Sequence, residues 1–428
     1  MKIFVLAVFI LTYVAIIAFP KFKVLSVGVS AVLTVGTVAI FGGESVLAAL
    51  SSVDYNVILM LVGIMLTVGV FSESGMPNRL ADGLMSKISS SLPAIIVLVV
   101  LSGLVSAFID NVATVLMLAP IGLAVAKKAE VSPVPVIIGI AVSSNLQGAA
   151  TLVGDTTSIM LGGFADMSFF DFFFLNGKPS IFFSVEIGAL LTVPALYFLF
   201  RKDNKKISIA KEDVKVTSIL PTVLLLLNVA LLVVTSFIPD KPDITNGVIC
   251  IAIGLFGYVY YVVRFKLDPI KSCVKIVDFE TVFFLFFLFL TVFAVDKAGI
   301  IKDLSDMFIG LGNENVFLLY TVIVFASVLI SAFIDNIPYV ATMLPVIQGL
   351  AAGLPGVSPY LLYFGLLCGA TLGGNLTPVG ASANVVGIGI LKKEGYKVTL
   401  KDFLRIGLPF TLVAVLGGYV FTWLMWGI

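Results

Sequence analysis

The chain has 428 residues, of which 60% are hydrophobic and 12% charged, with a formal net charge of +1. Apolar runs long enough to cross about 30 Å of hydrocarbon recur along it, and the longest polar stretch, Arg201 to Thr217, is too short to fold alone. The sequence therefore describes a polytopic membrane protein. Cys250, Cys273 and Cys368 are scattered and odd in number, and there is no histidine. The cysteines argue against a disulfide framework or a cysteine metal site, and the lack of histidine excludes histidine metal sites and an imidazole proton relay.

The first apolar run, Phe4 to Phe19, has only Lys2 ahead of it and no small-residue cleavage site before Pro20, so it reads as a retained helix rather than a signal peptide. Hydropathy predicts helices at about 2–19, 24–42 and 56–73, then a re-entrant hairpin over about 92–126, a broken span over about 133–163 and a full span over 181–200. The pattern then restarts. Spans at about 217–238, 246–263 and 279–295 precede a second hairpin over about 317–352, a second broken span over about 359–389 and a last span over 404–426. The expected fold is an all-α polytopic membrane protein of two repeats, residues 1–200 and 217–428, joined by a linker at 201–216.

The repeat is visible in the residues themselves. Ser-Ala-Phe-Ile-Asp-Asn occurs at Ser106 to Asn111 and again at Ser331 to Asn336, each time deep in an apolar stretch. A carboxylate at the bilayer centre costs roughly 2.5 to 3.5 kcal/mol on insertion scales, so such an Asp marks a functional site by default. Each copy is followed by a proline (Pro120, Pro345), a Val-Ser-Pro (Val131 to Pro133, Val357 to Pro359) and a glycine-rich polar segment. Val53-Asp54-Tyr55 aligns with Val277-Asp278-Phe279 at an offset of 224, the hexapeptides at 225, and Thr151-x-Val153-Gly154 with Thr377-x-Val379-Gly380 at 226. So small a drift implies common origin.

Charge orients the repeats. With the N-terminus outside, all of the 26 Lys and Arg except Lys2, Lys178, Lys241, Lys297 and Lys302 fall on inside segments. The halves are then inverted, with the first hairpin entering from the cytoplasm and the second from outside. Both termini are expected outside a prokaryotic inner membrane, and the linker is expected in the cytoplasm.

Two hairpin tips and two helix breaks, at Ser143 to Ser158 and Gly369 to Asn384, would converge near the midplane, where freed backbone groups must line a cavity or be covered by protein. Three carboxylates lie at that depth, Asp110, Asp155 and Asp335, and no Lys or Arg of the four elements matches them. They can bind Na⁺ or H⁺, or cap helix starts, and the two roles are compatible. Asp155 has Ala381 as its counterpart, so the fold does not need that carboxylate. Asn111 and Asn336 bring amides to the tips, which places a possible Na⁺ near Asp110, Asn111, Asp335 and Asn336. Further candidate ligands are Asn145, Thr151, Thr156, Thr157, Ser158, Asn375, Thr377, Ser382 and Asn384, with Gly154 and Gly380 at the breaks. Ser and Thr in membrane helices also bond their own backbone.

The segments SAFIDNVATVLMLAP, TLVGDTTSIM, SAFIDNIPYVATMLP and GGNLTPVGASANVV resemble the ion transporter superfamily, which joins arsenite efflux permeases, the pigmentation P protein, citrate and dicarboxylate transporters and some Na⁺/H⁺ antiporters. The resemblance covers nearly the whole chain. Acidic tips and the Gly154-Asp155 pair are more similar to the arsenite permease, P protein and antiporter branches than to the dicarboxylate branch, whose tips look like Ser-Asn-Thr. Those branches follow Gly-Asp with Pro-Pro-Asn, whereas this chain has Thr156-Thr157-Ser158 and Ser382-Ala383-Asn384. The resemblance implies a homodimer whose hairpins and broken helices move against a scaffold as an elevator.

The expected function is cation-coupled secondary transport of a small inorganic ion or metalloid, with Na⁺-coupled citrate or dicarboxylate transport as the alternative. Na⁺ or H⁺ is the coupling ion, no other cofactor or nucleic acid is expected, and lipid and a second copy are the partners. No Walker motif accompanies the membrane part. An ion channel is a further alternative. An intramembrane aspartyl protease would need Gly-x-Gly-Asp, and Leu152-Val153-Gly154-Asp155 lacks the first glycine, so no enzyme is expected.

Overall fold

Backbone polar groups in hydrocarbon must be satisfied within their own segment, which leaves apolar runs of this kind one solution, the helix. A computed structural model describes residues 1–207, 215–312, 315–354 and 357–428, so the linker expected at 201–216 lies partly outside the described residues. Among the described residues, seven helices are long and apolar enough to cross a membrane. The strands there are limited to Phe174–Leu175 and Lys178–Pro179, joined by Asn176 and Gly177, both at positive φ as a tight hairpin turn requires.

The order of elements runs twice. Lys2–Ala18, Lys23–Gly42, Val46–Ser51, Tyr55–Glu73 and Met76–Met85 lead to the first hairpin, Ser91–Ser106 with Asn111–Ala129. The first broken span, Pro133–Gly148 with Thr156–Phe164, and the span Ile181–Phe200 follow. Leu220–Thr235, Thr245–Phe265, Pro269–Ile276, Phe279–Lys297 and Ile300–Gly312 repeat the opening. Val316–Ser331 with Asn336–Gly353 then form the second hairpin, Pro359–Gly373 with Ser382–Lys393 the second broken span, and Leu400–Trp426 closes the chain. Each predicted span is present within a few residues. The short helices at Val46–Ser51, Met76–Met85, Pro269–Ile276 and Ile300–Gly312 are additions; hydropathy misses them because they are short or amphipathic.

Packing is reciprocal between the halves. Tyr55–Glu73 packs on Thr245–Phe265, and their counterparts Phe279–Lys297 and Lys23–Gly42 pack on each other. Small residues permit the first of these contacts: a Cβ on Gly63 would lie 2.2 Å from the Cys250 carbonyl carbon. These four helices form a framework. Asp54 and Asp278 start its two inner members in the same way, accepting the Val57 N–H at 3.0 Å and the Thr281 N–H at 3.1 Å. Caps of this kind are worth about 0.5 to 2 kcal/mol each.

The hairpins pack on the first segments of the broken spans, Pro133–Gly148 and Pro359–Gly373. Both segments are buried beyond their first turn. Helices enclosed on every side need no polar face, and these show none apart from the few amides and hydroxyls that build the site.

Candidate functional site

Each break is bound to the tip of its own hairpin by the same contacts. Asp110 Oδ1 accepts the N–H groups of Val112 at 3.0 Å and Ala113 at 3.1 Å, and Asp335 Oδ1 accepts that of Ile337 at 3.2 Å, so both acids cap the helices that follow them. The Thr151 hydroxyl donates to the Ala107 carbonyl, and the Thr377 hydroxyl to the Ala332 carbonyl. Behind them the chain passes so close that only glycine fits. A Cβ on Gly154 would lie 2.5 Å from the Gly148 oxygen, and one on Gly380 2.7 Å from the Gly374 oxygen. Ser158 donates to that Gly148 oxygen at 3.4 Å, and Asn384 to that Gly374 oxygen at 3.0 Å. Thr151, Thr377, Gly154, Gly380, Ser158 and Asn384 therefore build the breaks.

A second set of contacts joins the halves. Asn145 Oδ1 accepts from the Asn111 amide at 3.2 Å, while its Nδ2 donates to the Thr371 carbonyl at 2.6 Å and to Asn375 Oδ1 at 3.0 Å. Asn375 in turn donates to the Val142 carbonyl at 3.0 Å. Asp155 is buried, and its Oδ2 accepts the Thr157 hydroxyl at 3.1 Å and the Asn336 amide at 3.3 Å. The carboxylate of the first break thus grips the tip of the second hairpin. With Ala381 in the equivalent place, the second break makes no such grip.

A cavity of about 840 Å³ opens onto this centre. Asn111, Thr156, Asn336 and Ser382 all line it, and each is the first residue of a helix. Four positive helix ends therefore face one space. Asp110, Asp155 and Asp335 hold the N-cap positions of three, and Ala381 holds the fourth. Lys23 lines the same cavity from the framework, its Nζ 3.5 Å from Glu280 Oε1. It escapes a search of the hairpins and breaks because it belongs to neither. Among the described residues, no ion pair involves Asp110, Asp155 or Asp335.

A second cavity, of about 810 Å³, is the first one's counterpart. Asp54, Phe289, Phe293 and Pro345 line it, and their equivalents Asp278, Met65, Gly69 and Pro120 line the first. Its lining includes neither tip nor Asp155.

The sequence profile of the family described as citrate transporter matches residues 7–369. The chain belongs to the citrate transporter family. This citrate transporter family member is 32% identical over 430 residues to the 46 kDa membrane protein of Mycobacterium leprae, covering 99% of both chains. It is 30% identical over 437 residues to an uncharacterized transporter of Mycobacterium tuberculosis, again covering 99% of both. With the human P protein it shares 25% identity over 441 residues, 85% of this chain and 52% of that one. Among solved structures, the YdaH transporter of Alcanivorax borkumensis matches with a TM-score of 0.59 and 17% identity over 86% of this chain and 84% of that one. MtrF of Neisseria gonorrhoeae, of a class of antimetabolite efflux pumps, matches at 0.55 and 14%, covering 86% and 80%. At these identities the likeness shows the fold, and the family shows an integral membrane transporter.

Proposed function

We propose that the protein is a secondary transporter in which Na⁺ or H⁺ at the deep carboxylates accompanies a small carboxylate anion of the citrate class. The observation that carries this reading is the set of four helix ends on one cavity, three of them faced by Asp and the fourth, at Ser382, by none. A helix N-terminus without a neutralising acid suits an anionic group, while Lys23 on the same cavity shares its charge with Glu280. Transport of a small inorganic ion or metalloid would use the same acids but leave the Ser382 end without a role.

The coupling cation answers a separate need. Asp155 is buried with amide and hydroxyl partners but no basic one, so binding a cation or a proton offsets its desolvation. A Na⁺ near Asp110 and Asn111, or near Asp335 and Asn336, would draw on amide and carbonyl oxygens as well. Among the described residues no three acidic, Cys or His groups converge as a metal site.

With residues 1–200 and 217–428 as inverted repeats, the linker in the cytoplasm and both termini outside the inner membrane, the larger cavity opens inward and its counterpart outward. Lys23 and Lys275 on the larger cavity support that orientation. The hairpins and broken spans then carry solute past the framework of a homodimer in an elevator motion.

Thermal stability of the purified protein across citrate, arsenite, Na⁺, Li⁺ and pH tests the reading. A ligand at a hundred times its Kd stabilises by about 2.7 kcal/mol. Citrate is expected to stabilise only together with Na⁺ or at low pH. Stabilisation by arsenite alone would transfer the reading to the inorganic ion, and no response to any of them would remove it.

A further inference from the structure

We propose that the Tyr13 hydroxyl is a positioning group that latches the second hairpin to the framework and keeps the smaller cavity from reaching Asp155. Tyr13 lies on Lys2–Ala18, which packs on Lys23–Gly42 and Phe279–Lys297. Its Oη donates to the Pro338 carbonyl at 2.7 Å and also meets the Thr342 hydroxyl, which itself donates to the Pro338 carbonyl at 3.0 Å. The ring is held edge-on by Phe9, at 5.0 Å between centroids. A phenol inside a membrane helix must find a partner for its hydroxyl, and this one finds it just past the hairpin tip. Pro338 is two residues beyond Asn336, whose amide holds Asp155 at 3.3 Å. Latch and carboxylate therefore act on the same short stretch of backbone.

The first hairpin lacks this device. Its positions equivalent to Pro338 and Thr342 are Ala113 and Met117, and both line the larger cavity. Its nearest counterpart contact runs from the Ser72 hydroxyl to the Met117 sulfur at 3.5 Å, with a weak thioether acceptor. Both tips line the larger cavity, but the first hairpin lines it as far as Pro120, whereas the latched second hairpin lines it only at Asn336 and Ile337. The inference rests on the reading that the hairpins and broken spans carry solute past the framework from one cavity to the other.

The test uses a cysteine-free protein carrying Leu344→Cys, a buried reporter lining the smaller cavity, or Gln348→Cys, an exposed reporter lining it. Tyr13→Phe is expected to speed labelling of the Leu344→Cys reporter by an impermeant thiol reagent about fivefold, the size of one net hydrogen bond. The Gln348→Cys reporter should stay within about twofold. Thr342→Val should act in the same direction, and it serves if Tyr13→Phe fails to fold. Unchanged labelling in the folded variants, or an equal rise at both reporters, would overturn the latch. Citrate- and Na⁺-dependent stabilisation is measured on the same proteins. Its absence in the parent would strike the proposed function, whereas its presence with unchanged labelling would strike only the latch.

Discussion

Where the larger cavity is walled by Met65 and Gly69, the equivalent positions of the smaller one are Phe289 and Phe293, and where Ala113 lines the larger one, its equivalent Pro338 lies outside the smaller one's lining and is held by Tyr13. The backbone plan is the same on both sides. The larger cavity runs on to Asp110 and Asp155, while the lining of the smaller one stops at Ala341, more than a helical turn short of Asn336. The comparison separates two kinds of residue. Those kept in both halves, such as Thr151 with Thr377 and Gly154 with Gly380, bind each break to its hairpin. Those that differ, Asp155 against Ala381 and Thr157 against Ala383, belong to the contact with Asn336 that the first break makes and the second does not.

The largest expected effect breaks the symmetry at its least symmetric point. Asp155→Ala should cut ion-dependent uptake in proteoliposomes by about ten- to a hundredfold, since hydrogen bonds and contacts to a charged group are worth roughly 1.5 to 3 kcal/mol. Its folding stability should hold or rise, because a buried carboxylate without a basic partner costs free energy. Ala381→Asp should do the reverse and lower the yield of folded protein. Uptake by Asp155→Ala that keeps its Na⁺ and pH dependence would place Asp155 among the construction residues.

A smaller effect sharpens the symmetric part. Gly154→Ala and Gly380→Ala each push a methyl onto carbonyl oxygens at 2.5 Å and 2.7 Å, a form of overpacking that costs about 1 to 3 kcal/mol. The two losses, read from thermal unfolding in detergent, should match within about 1 kcal/mol. Tolerance of one substitution and not the other would show that the two breaks are not built alike.

Much of this was legible in the sequence. The spans stand out because long apolar runs have one stable form in lipid, and the hairpins because the repeated Asp-Asn interrupts such runs. The short helices at Met76–Met85 and Ile300–Gly312 were not legible, since mixed polar and apolar residues over so few turns resemble a loop. At the site, the sequence brought the right polar residues into view but not their partners. Thr151, Ser158, Thr377 and Asn384 look like ligands on composition, yet each gives its donor group to a carbonyl of its own half. Asn145 and Asn375 meet across the halves, and Lys23 reaches the larger cavity and Tyr13 the second hairpin from helices far away in sequence. Contacts of that kind depend on how the halves pack, and no local pattern encodes them.

The most direct test of the unequal cavities is the side from which Ser382 can be reached. Ser382→Cys on a cysteine-free background would be exposed to an impermeant thiol reagent in right-side-out and inside-out vesicles, with and without citrate and Na⁺. The expected result without solute is labelling from the cytoplasmic side alone, slowed when citrate and Na⁺ are both present. Labelling from the outer side alone, or equal labelling from both sides that solute leaves unchanged, would contradict it.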